Sequence, residues 1–150
     1  MISTELKTTI QGAYSRFLEA KSLKPRYGQR LMIAEIAKVL GDIDTDDEGR
    51  RSGDPAIVAV EAGTGTGKTV AYSLAAIPTA KAAGKRLVIA TATVALQEQI
   101  VYKDLPDLMR NSGLNFSFAL AKGRGRYMCL SKLDMLLQEG HAQTATAQLF

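Results

Sequence analysis

The sequence predicts an α/β protein in which helices flank a parallel sheet. Three short, mostly apolar runs at residues 56–60, 86–90 and 116–120 have the composition of buried parallel strands. Segments with helical spacing of apolar residues separate these runs, and a glycine-rich loop joins the first run to the first of those helices. Strands that alternate with helices along the chain are typical of parallel sheets with right-handed crossovers.

Two helices are expected before the first strand. Apolar residues recur at helical spacing over about residues 4–20 and 29–40, and Gly41 follows as a stop signal. Residues 41–55 are polar and show no periodicity, so they predict a surface loop.

Helices are also expected between and after the strands. The pattern predicts a helix over about residues 67–82, with Pro78 inside it as a kink or weak point. A second helix covers about residues 94–103, and Pro106 opens a short one that ends near Gly113.

The end of the chain differs from the rest in composition. Residues 122–126 form a basic, glycine-rich loop, and Ser131 with Asp134 is a candidate capping box for a last helix. The last ten residues, 141–150, contain no signal for a closing element, and three strands are few for a finished sheet. We therefore expect a partial chain.

Composition excludes several classes of protein. Hydrophobic residues make up 46% of the 150, which is enough for a packed core, and the single cysteine excludes a disulfide framework. No apolar run reaches the roughly 20 residues needed to span a membrane, and Glu5 and Lys7 interrupt the segment where a secretory signal would be apolar. We expect a cytoplasmic protein without a membrane partner. The net charge of +4 lies entirely in residues 61–150, which is compatible with a polyanionic partner but also with solvated lysines.

Residues 62–69 read AGTGTGKT between a predicted strand and a predicted helix, which is a phosphate-loop pattern. Glycines allow backbone N–H groups to approach phosphate oxygens, the lysine places a positive charge against the β- and γ-phosphates, and the last threonine offers a hydroxyl to Mg²⁺. Lys68 and Thr69 are the catalytic candidates. The ATP-contacting candidates are Ala62, Gly63, Thr64, Gly65, Thr66, Gly67, Lys68 and Thr69. The alternative is an ordinary tight turn with an exposed lysine.

Hydrolysis of ATP also needs a carboxylate at the end of another apolar strand. The only Asp-Glu pair, Asp47-Glu48, lies in the polar loop. The sequence therefore predicts a chain that binds ATP and Mg²⁺ but lacks the groups for turnover by itself.

Four segments in order carry a family resemblance. Residues 61–69 resemble motif I of superfamily-two helicases, residues 88–100 resemble motif Ia, and Arg26-Tyr-Gly-Gln29 resembles the adenine-sensing Q motif. Residues 123–129, GRGRYMC, resemble the entry to the iron–sulfur domain of the bacterial DinG-type, XPD-like branch. The set indicates the N-terminal part of such an iron–sulfur DNA helicase.

The resemblance implies a division of the chain. Residues 1–55 would be N-terminal helices with the Q motif and the polar loop, and residues 56–121 the first half of a P-loop, RecA-like motor domain. Residues 122–150 would begin an incomplete iron–sulfur domain.

The resemblance also assigns residues to ligands. Gln29 would read the adenine edge with its amide; without the resemblance, a plain polar residue at a helix start is the preferred interpretation. Thr91, Thr93 and Gln97 would contact the phosphates of single-stranded DNA, and Thr93 is also a candidate helix N-cap.

Three residues near the end of the chain complete the assignment. Cys129 would be the first of four thiolates on a [4Fe–4S] cluster, the other three being expected beyond Phe150; the alternative is a small buried hydrophobic residue. Arg124 and Arg126 would line a DNA path or belong to a solvated basic turn.

The function that the resemblance implies is that of an ATP-dependent DNA helicase moving 5′→3′ on single strands, in DNA repair or replication upkeep. Its partners would be single-stranded and forked or displaced-strand DNA, and we expect a monomer. Two alternatives remain open: a P-loop NTPase unrelated to nucleic acid, and a non-catalytic nucleotide-binding or partner module.

Overall fold

The computed structural model describes residues 2–138, which are mainly helical. The helices are α1 (Thr4–Ala20), α2 (Tyr27–Gly41), α3 (Lys68–Ala82), α4 (Val94–Gln99), α5 (Leu105–Ser112) and α6 (Leu130–Gln138), with a π-helical turn at Ile100–Asp104 and a 3₁₀ turn at Arg124–Arg126. The described residues up to 118 form one compact unit, and those from 119 onward belong to a second. None of the helices in residues 2–138 is both long and apolar enough to cross a membrane.

The two N-terminal helices form where the apolar spacing predicts them. Helix α1 is capped by Ser3, whose side-chain oxygen accepts a hydrogen bond from the backbone N–H of Leu6 at 3.1 Å. Helix α2 begins at Tyr27, two residues earlier than expected, which places Gln29 in its first turn. That displacement matters for the site, because it moves the glutamine from the edge of the helix into it.

The core of the first unit lies between α1, α2 and α3. Their inward faces share one buried cluster with Leu108 of α5: Leu6, Ile10, Ala13, Tyr14, Phe17, Leu18, Met32, Ile33, Ile36, Ala37, Ala71, Leu74, Ala75 and Leu108. A smaller cluster joins Ile77 of α3 to Ile100 and Leu105. Small residues on α3 allow close approach of its neighbours, so the helix that follows the glycine-rich loop is the best buried in the unit.

Helix α3 follows the predicted bounds of 67–82 within one residue. Gly67 adopts the left-handed conformation immediately before it, and the helix runs through Pro78 to Ala82. Pro78 and its neighbours Ile77 and Thr79 are buried, so the surrounding packing supports the helix where the proline removes a backbone hydrogen bond.

The predicted parallel sheet is not confirmed in residues 2–138. Residues 56–60, 86–90 and 116–120 have irregular backbone there, and the described part of the chain contains only an isolated antiparallel bridge between Thr45 and Arg51. The apolar side chains of these runs are also largely uncovered: Ile57 is 81% exposed and Val88 is 85% exposed. A parallel strand is stabilised by neighbours on its edges and on both faces, and such neighbours are lacking among the described residues.

Helices α4 and α5 are joined without a break, where the sequence predicted two helices separated at Asp104. The backbone N–H of Leu105 donates to the carbonyl of Ile100, the wide hydrogen bond of a π-turn. Pro106 explains the widening, because it has no N–H for the carbonyl of Tyr102. The left-handed Gly113 ends α5, as predicted.

The predicted capping box at Ser131 is wrong. Helix α6 begins at Leu130, so Ser131 lies inside it, and Asp134 accepts a hydrogen bond at 3.0 Å from Gln138 instead. The carbonyl of Cys129 accepts the first backbone hydrogen bond, from Leu133 at 3.0 Å. The predicted absence of a closing element in residues 141–150 lies outside the described residues.

Candidate nucleotide site

The glycine-rich loop leads into α3 through two positions whose backbone conformation favours glycine. Gly65 and Gly67 have φ angles of +76° and +77°, in the left-handed region that side chains disfavour. The loop thus delivers the chain directly to the start of α3 at Lys68. The positive end of the helix dipole and its first backbone N–H groups therefore lie at the loop, the arrangement that binds anions.

Lys68 is folded against the loop that precedes it. Its ammonium donates to the carbonyl oxygens of Ala62 at 2.7 Å and Gly63 at 2.9 Å. The hydroxyl of Thr66 donates to the same Gly63 carbonyl at 2.9 Å. The cation is held within the loop by neutral acceptors. A negatively charged phosphate oxygen attracts an ammonium more strongly than a neutral carbonyl does.

Helix α2 contacts the loop through Gln29. The amide nitrogen donates to the carbonyls of Thr66 and Gly67, both at 3.3 Å, and the amide oxygen accepts from the hydroxyl of Tyr14 at 3.0 Å. The structure thus brings the Q-motif glutamine to the phosphate loop, 38 residues away in sequence.

Two further residues of this arrangement were missed as site candidates. The guanidinium of Arg26 donates to the carbonyl of Gly65 at 2.9 Å, and its backbone N–H donates to the hydroxyl of Tyr14 at 3.4 Å. Tyr14 reads in the sequence as one more apolar position on α1, and it is indeed buried. The signal that was available is a hydroxyl on an otherwise apolar face, because a buried tyrosine usually finds a partner for it.

Thr69, the Mg²⁺ candidate, is hydrogen-bonded to Tyr72 one turn further along α3. Burial raises the pKa of the Tyr72 phenol above its ordinary value; the hydrogen bond to Thr69 opposes that shift and the charge of Asp104 adds to it. The phenol is therefore neutral at working pH, and it can orient the threonine hydroxyl without adding charge beside a metal ion.

The motif Ia candidates lie at the start of α4. Thr93 is its N-cap, and its hydroxyl accepts from the backbone N–H of Leu96 at 3.2 Å, which confirms the capping alternative. The hydroxyl of Thr91 donates to the carbonyl of Thr93 at 3.2 Å. Gln97 lies one turn into the helix, so the three residues are grouped at one helix end.

In the second unit, Arg124 and Arg126 form the 3₁₀ turn of the basic loop and are exposed. The hydroxyl of Tyr127 accepts from the backbone N–H of Lys122 at 2.8 Å, and this bond closes the loop. Cys129 is an exposed free thiol, so the buried-hydrophobe alternative is wrong.

Metal-binding clusters are lacking among residues 2–138, where no three His, Cys, Asp or Glu side chains are grouped to hold an ion. One thiolate does not complete the set of four that a [4Fe–4S] cluster takes, so the residues of this chain do not hold the cluster by themselves.

Comparison with known proteins places this site in context. The chain is 40% identical over 147 residues to the ATP-dependent DNA helicase DinG of Photobacterium profundum, covering 97% of this chain and 20% of that relative. It is 40% identical over 136 residues to DinG of Escherichia coli K12 (90% and 18%) and 45% identical over 112 residues to DinG of Salmonella typhimurium (75% and 14%). The chain thus spans about a fifth or less of the length of these curated relatives.

The family comparison covers most of the chain. The DEAD/DEAH box helicase model matches residues 47–143, a range that includes the phosphate loop, α3, α4 and the basic loop. The left-handed glycines, Lys68 at the start of α3 and Thr93 at the start of α4 all lie inside the matched range. The chain therefore belongs to the DEAD/DEAH box helicase family.

Proposed function

We propose that this chain is the ATP-binding, N-terminal portion of a DinG-type DNA helicase that moves 5′→3′ on single-stranded DNA. Its substrates would be single-stranded and forked or displaced-strand DNA, met during repair or replication upkeep in the cytoplasm, with a monomer as the working unit. Family membership and the ATP-dependent DNA helicase activity of the DinG relatives support the proposal.

One observation carries the ATP-binding part. The loop at the start of α3 holds two left-handed glycines and a lysine whose ammonium already lies on the loop carbonyls. A loop of this conformation at a helix N-terminus supplies backbone N–H groups and a positive charge together, which is what a polyphosphate needs.

The residues then divide the chemistry of hydrolysis. ATP and water give ADP and phosphate, and negative charge accumulates on the oxygens of the departing phosphoryl group. Lys68 would stabilise that charge, and Thr69, oriented by Tyr72, would be the residue of this chain that ligates Mg²⁺, which neutralises phosphate charge when bound. Hydrolysis also needs a second carboxylate beside the metal ion, and none of the catalytic candidates of this chain is a carboxylate.

DNA contacts would come from two places. Thr91, Thr93 and Gln97 offer hydroxyl and amide groups at the start of α4, where exposed backbone N–H groups also suit phosphate oxygens. Arg124 and Arg126 supply positive charge in the basic loop of the second unit. Cys129 would contribute one ligand to the cluster of the neighbouring domain.

The test is ATP hydrolysis by the full-length gene product with and without single-stranded DNA, compared with Lys68→Ala. We expect DNA to stimulate turnover and the variant to lose at least about a hundredfold in kcat, because it removes the positive charge that stabilises the transferring phosphoryl group. DNA binding without nucleotide should be unchanged.

Lys81→Ala is the control, because Lys81 lies in the last turn of the same helix and donates to the carbonyl of Asn115 instead. Undiminished hydrolysis by Lys68→Ala would contradict the assignment of the phosphate loop. Turnover that is lost in Lys68→Ala but indifferent to DNA would instead support an NTPase unrelated to nucleic acid.

A further inference from the structure

A chain of hydrogen bonds runs from the start of α2 through α1 to the phosphate loop. The backbone N–H of Arg26 donates to the hydroxyl of Tyr14, and that hydroxyl donates to the amide oxygen of Gln29 at 3.0 Å. The amide nitrogen of Gln29 donates in turn to the carbonyls of Thr66 and Gly67. Successive hydrogen bonds of this chain share a group, first the hydroxyl of Tyr14 and then the amide of Gln29.

The polarity of this chain is fixed at both ends. Its first group is a backbone N–H, which can only donate, and its last groups are backbone carbonyls, which can only accept. The Tyr14 hydroxyl is therefore obliged to give its proton to Gln29, and the amide is obliged to turn its NH₂ group toward the loop. A flipped amide would face Thr66 and Gly67 with an oxygen, and two pairs of acceptors would repel each other.

This use of Gln29 competes with the role that the Q motif implies. The amide nitrogen donates to two consecutive loop carbonyls, both at 3.3 Å, so the NH₂ group is directed at the loop. Only one acceptor position on the amide oxygen is left beside the bond from Tyr14. In this arrangement the donor side of the amide faces the loop.

Packing keeps the arrangement in place. Tyr14 is only 8% exposed, and its ring belongs to the buried cluster of α1, α2 and α3. A Cβ on Gly67 would clash with the amide nitrogen of Gln29, so the loop backbone approaches the amide as closely as a glycine permits. Water cannot easily replace a buried hydroxyl at this position.

We propose that Tyr14 is a positioning residue of the nucleotide site: its hydroxyl fixes the amide of Gln29 so that the amide holds the phosphate loop. This rests on the proposed function, since it assumes that the loop binds nucleotide. The tyrosine sets the affinity for the polyphosphate part of the ligand, and its contribution does not depend on the base.

The test is the Kd of the full-length gene product for ATP, GTP and inorganic tripolyphosphate, measured by titration calorimetry for wild type and Tyr14→Phe. The variant keeps the buried ring and removes only the hydroxyl. We expect about a three- to tenfold weaker Kd for all three ligands, by the same factor, as for the loss of one neutral hydrogen bond. In a Gln29→Leu background, Tyr14→Phe should have no further effect.

Two controls separate positioning from loss of stability. Ile10→Val shortens another buried side chain on the same face of α1, and it should lower the melting temperature without changing any Kd. Tyr102→Phe removes the hydroxyl of an exposed tyrosine and should change neither.

Several results would overturn the proposal: unchanged Kd values in Tyr14→Phe, a loss confined to ATP, or an equal loss in the Gln29→Leu background. Lys68→Ala in the same titration reports on the phosphate loop itself. If Lys68→Ala binds tripolyphosphate and hydrolyses ATP as well as wild type does, the proposed function fails; if it is impaired and Tyr14→Phe is not, only the role of Tyr14 fails.

Discussion

Two glycines of the phosphate loop share a backbone conformation but not a neighbourhood. Gly65 and Gly67 both have φ near +76°, yet a Cβ on Gly65 would meet no atom within 4 Å, while one on Gly67 would lie against the amide of Gln29. Replacing each glycine by alanine therefore separates two contributions to the free energy of unfolding. One is the strain of an alanine in the left-handed conformation, and the other is the displacement of Gln29.

We predict that Gly65→Ala lowers the free energy of unfolding by about 1–2 kcal/mol, the usual cost of a left-handed alanine. Gly67→Ala should cost about 1–2 kcal/mol more, because Gln29 must swing away and leave the carbonyls of Thr66 and Gly67 unpaired. Urea unfolding of the 150-residue polypeptide measures both. Equal losses in the two variants would show that the contact with Gln29 contributes nothing to stability.

At the residue level, the sequence identified the groups whose neighbours are close in the chain. The spacing of residues 62–69 was sufficient to single out the lysine and glycines of the loop, because their chemistry is built within eight positions. The contacts of Tyr14 and Arg26 with the site span 15 and 39 residues. Only the packing of α1 and α2 against α3 brings them there, and no local pattern encodes it.

Thr93 is both the N-cap of α4 and one of the residues proposed to contact DNA. Thr93 accepts a hydrogen bond from Leu96 through its hydroxyl, and an aspartate at that position would accept it equally well. The charge would differ: a carboxylate repels a DNA phosphate, whereas a hydroxyl binds one. One substitution thus distinguishes the two roles.

We predict that Thr93→Asp leaves thermal stability unchanged and weakens binding of single-stranded DNA about tenfold at low salt, by charge repulsion. Thr93→Ala should lower the free energy of unfolding by about 1 kcal/mol through loss of the cap. Fluorescence anisotropy with labelled oligonucleotide and thermal melts check the two effects. Tight DNA binding by Thr93→Asp would mean that Thr93 serves the helix alone.

At the level of elements, helices were predictable and the sheet was not confirmed. An amphipathic helix satisfies its backbone within itself, so α1, α2 and α3 follow from local spacing. A strand is completed only by partners elsewhere, and the runs at 56–60 and 86–90 lack them among residues 2–138. The π-turn depends on Pro106, which has no N–H to donate to the carbonyl of Tyr102. From the sequence, Pro106 predicted the start of a separate helix instead.

For the whole molecule, the exposed apolar runs carry a prediction about the sheet. We expect residues 57–60 and 87–90 to pair with further strands in the full-length gene product, because Ile57 and Val88 would otherwise stay uncovered. Their backbone amides should then exchange hydrogen about as slowly as those in the buried middle of α3.

Hydrogen-exchange mass spectrometry of the full-length gene product and of the 150-residue polypeptide makes the comparison. Protection of these runs in the longer protein alone is the expected result, with the polar loop at 43–55 exchanging rapidly in both as an internal reference. Rapid exchange of the runs in both polypeptides would contradict the parallel sheet.

The π-turn between α4 and α5 also determines which way α5 faces. One additional residue in a helical turn rotates everything after it by about 100° around the helix axis. With that rotation, Leu108 reaches the core, the carboxylate of Asp107 lies 3.0 Å from the ammonium of Lys21, and Arg16 donates to the carbonyl of Ser112 at 2.9 Å. Pro106 therefore sets the rotational phase of α5: the segment that begins at the proposed DNA-contacting end continues into a helix whose hydrogen bond and ion pair hold it against α1.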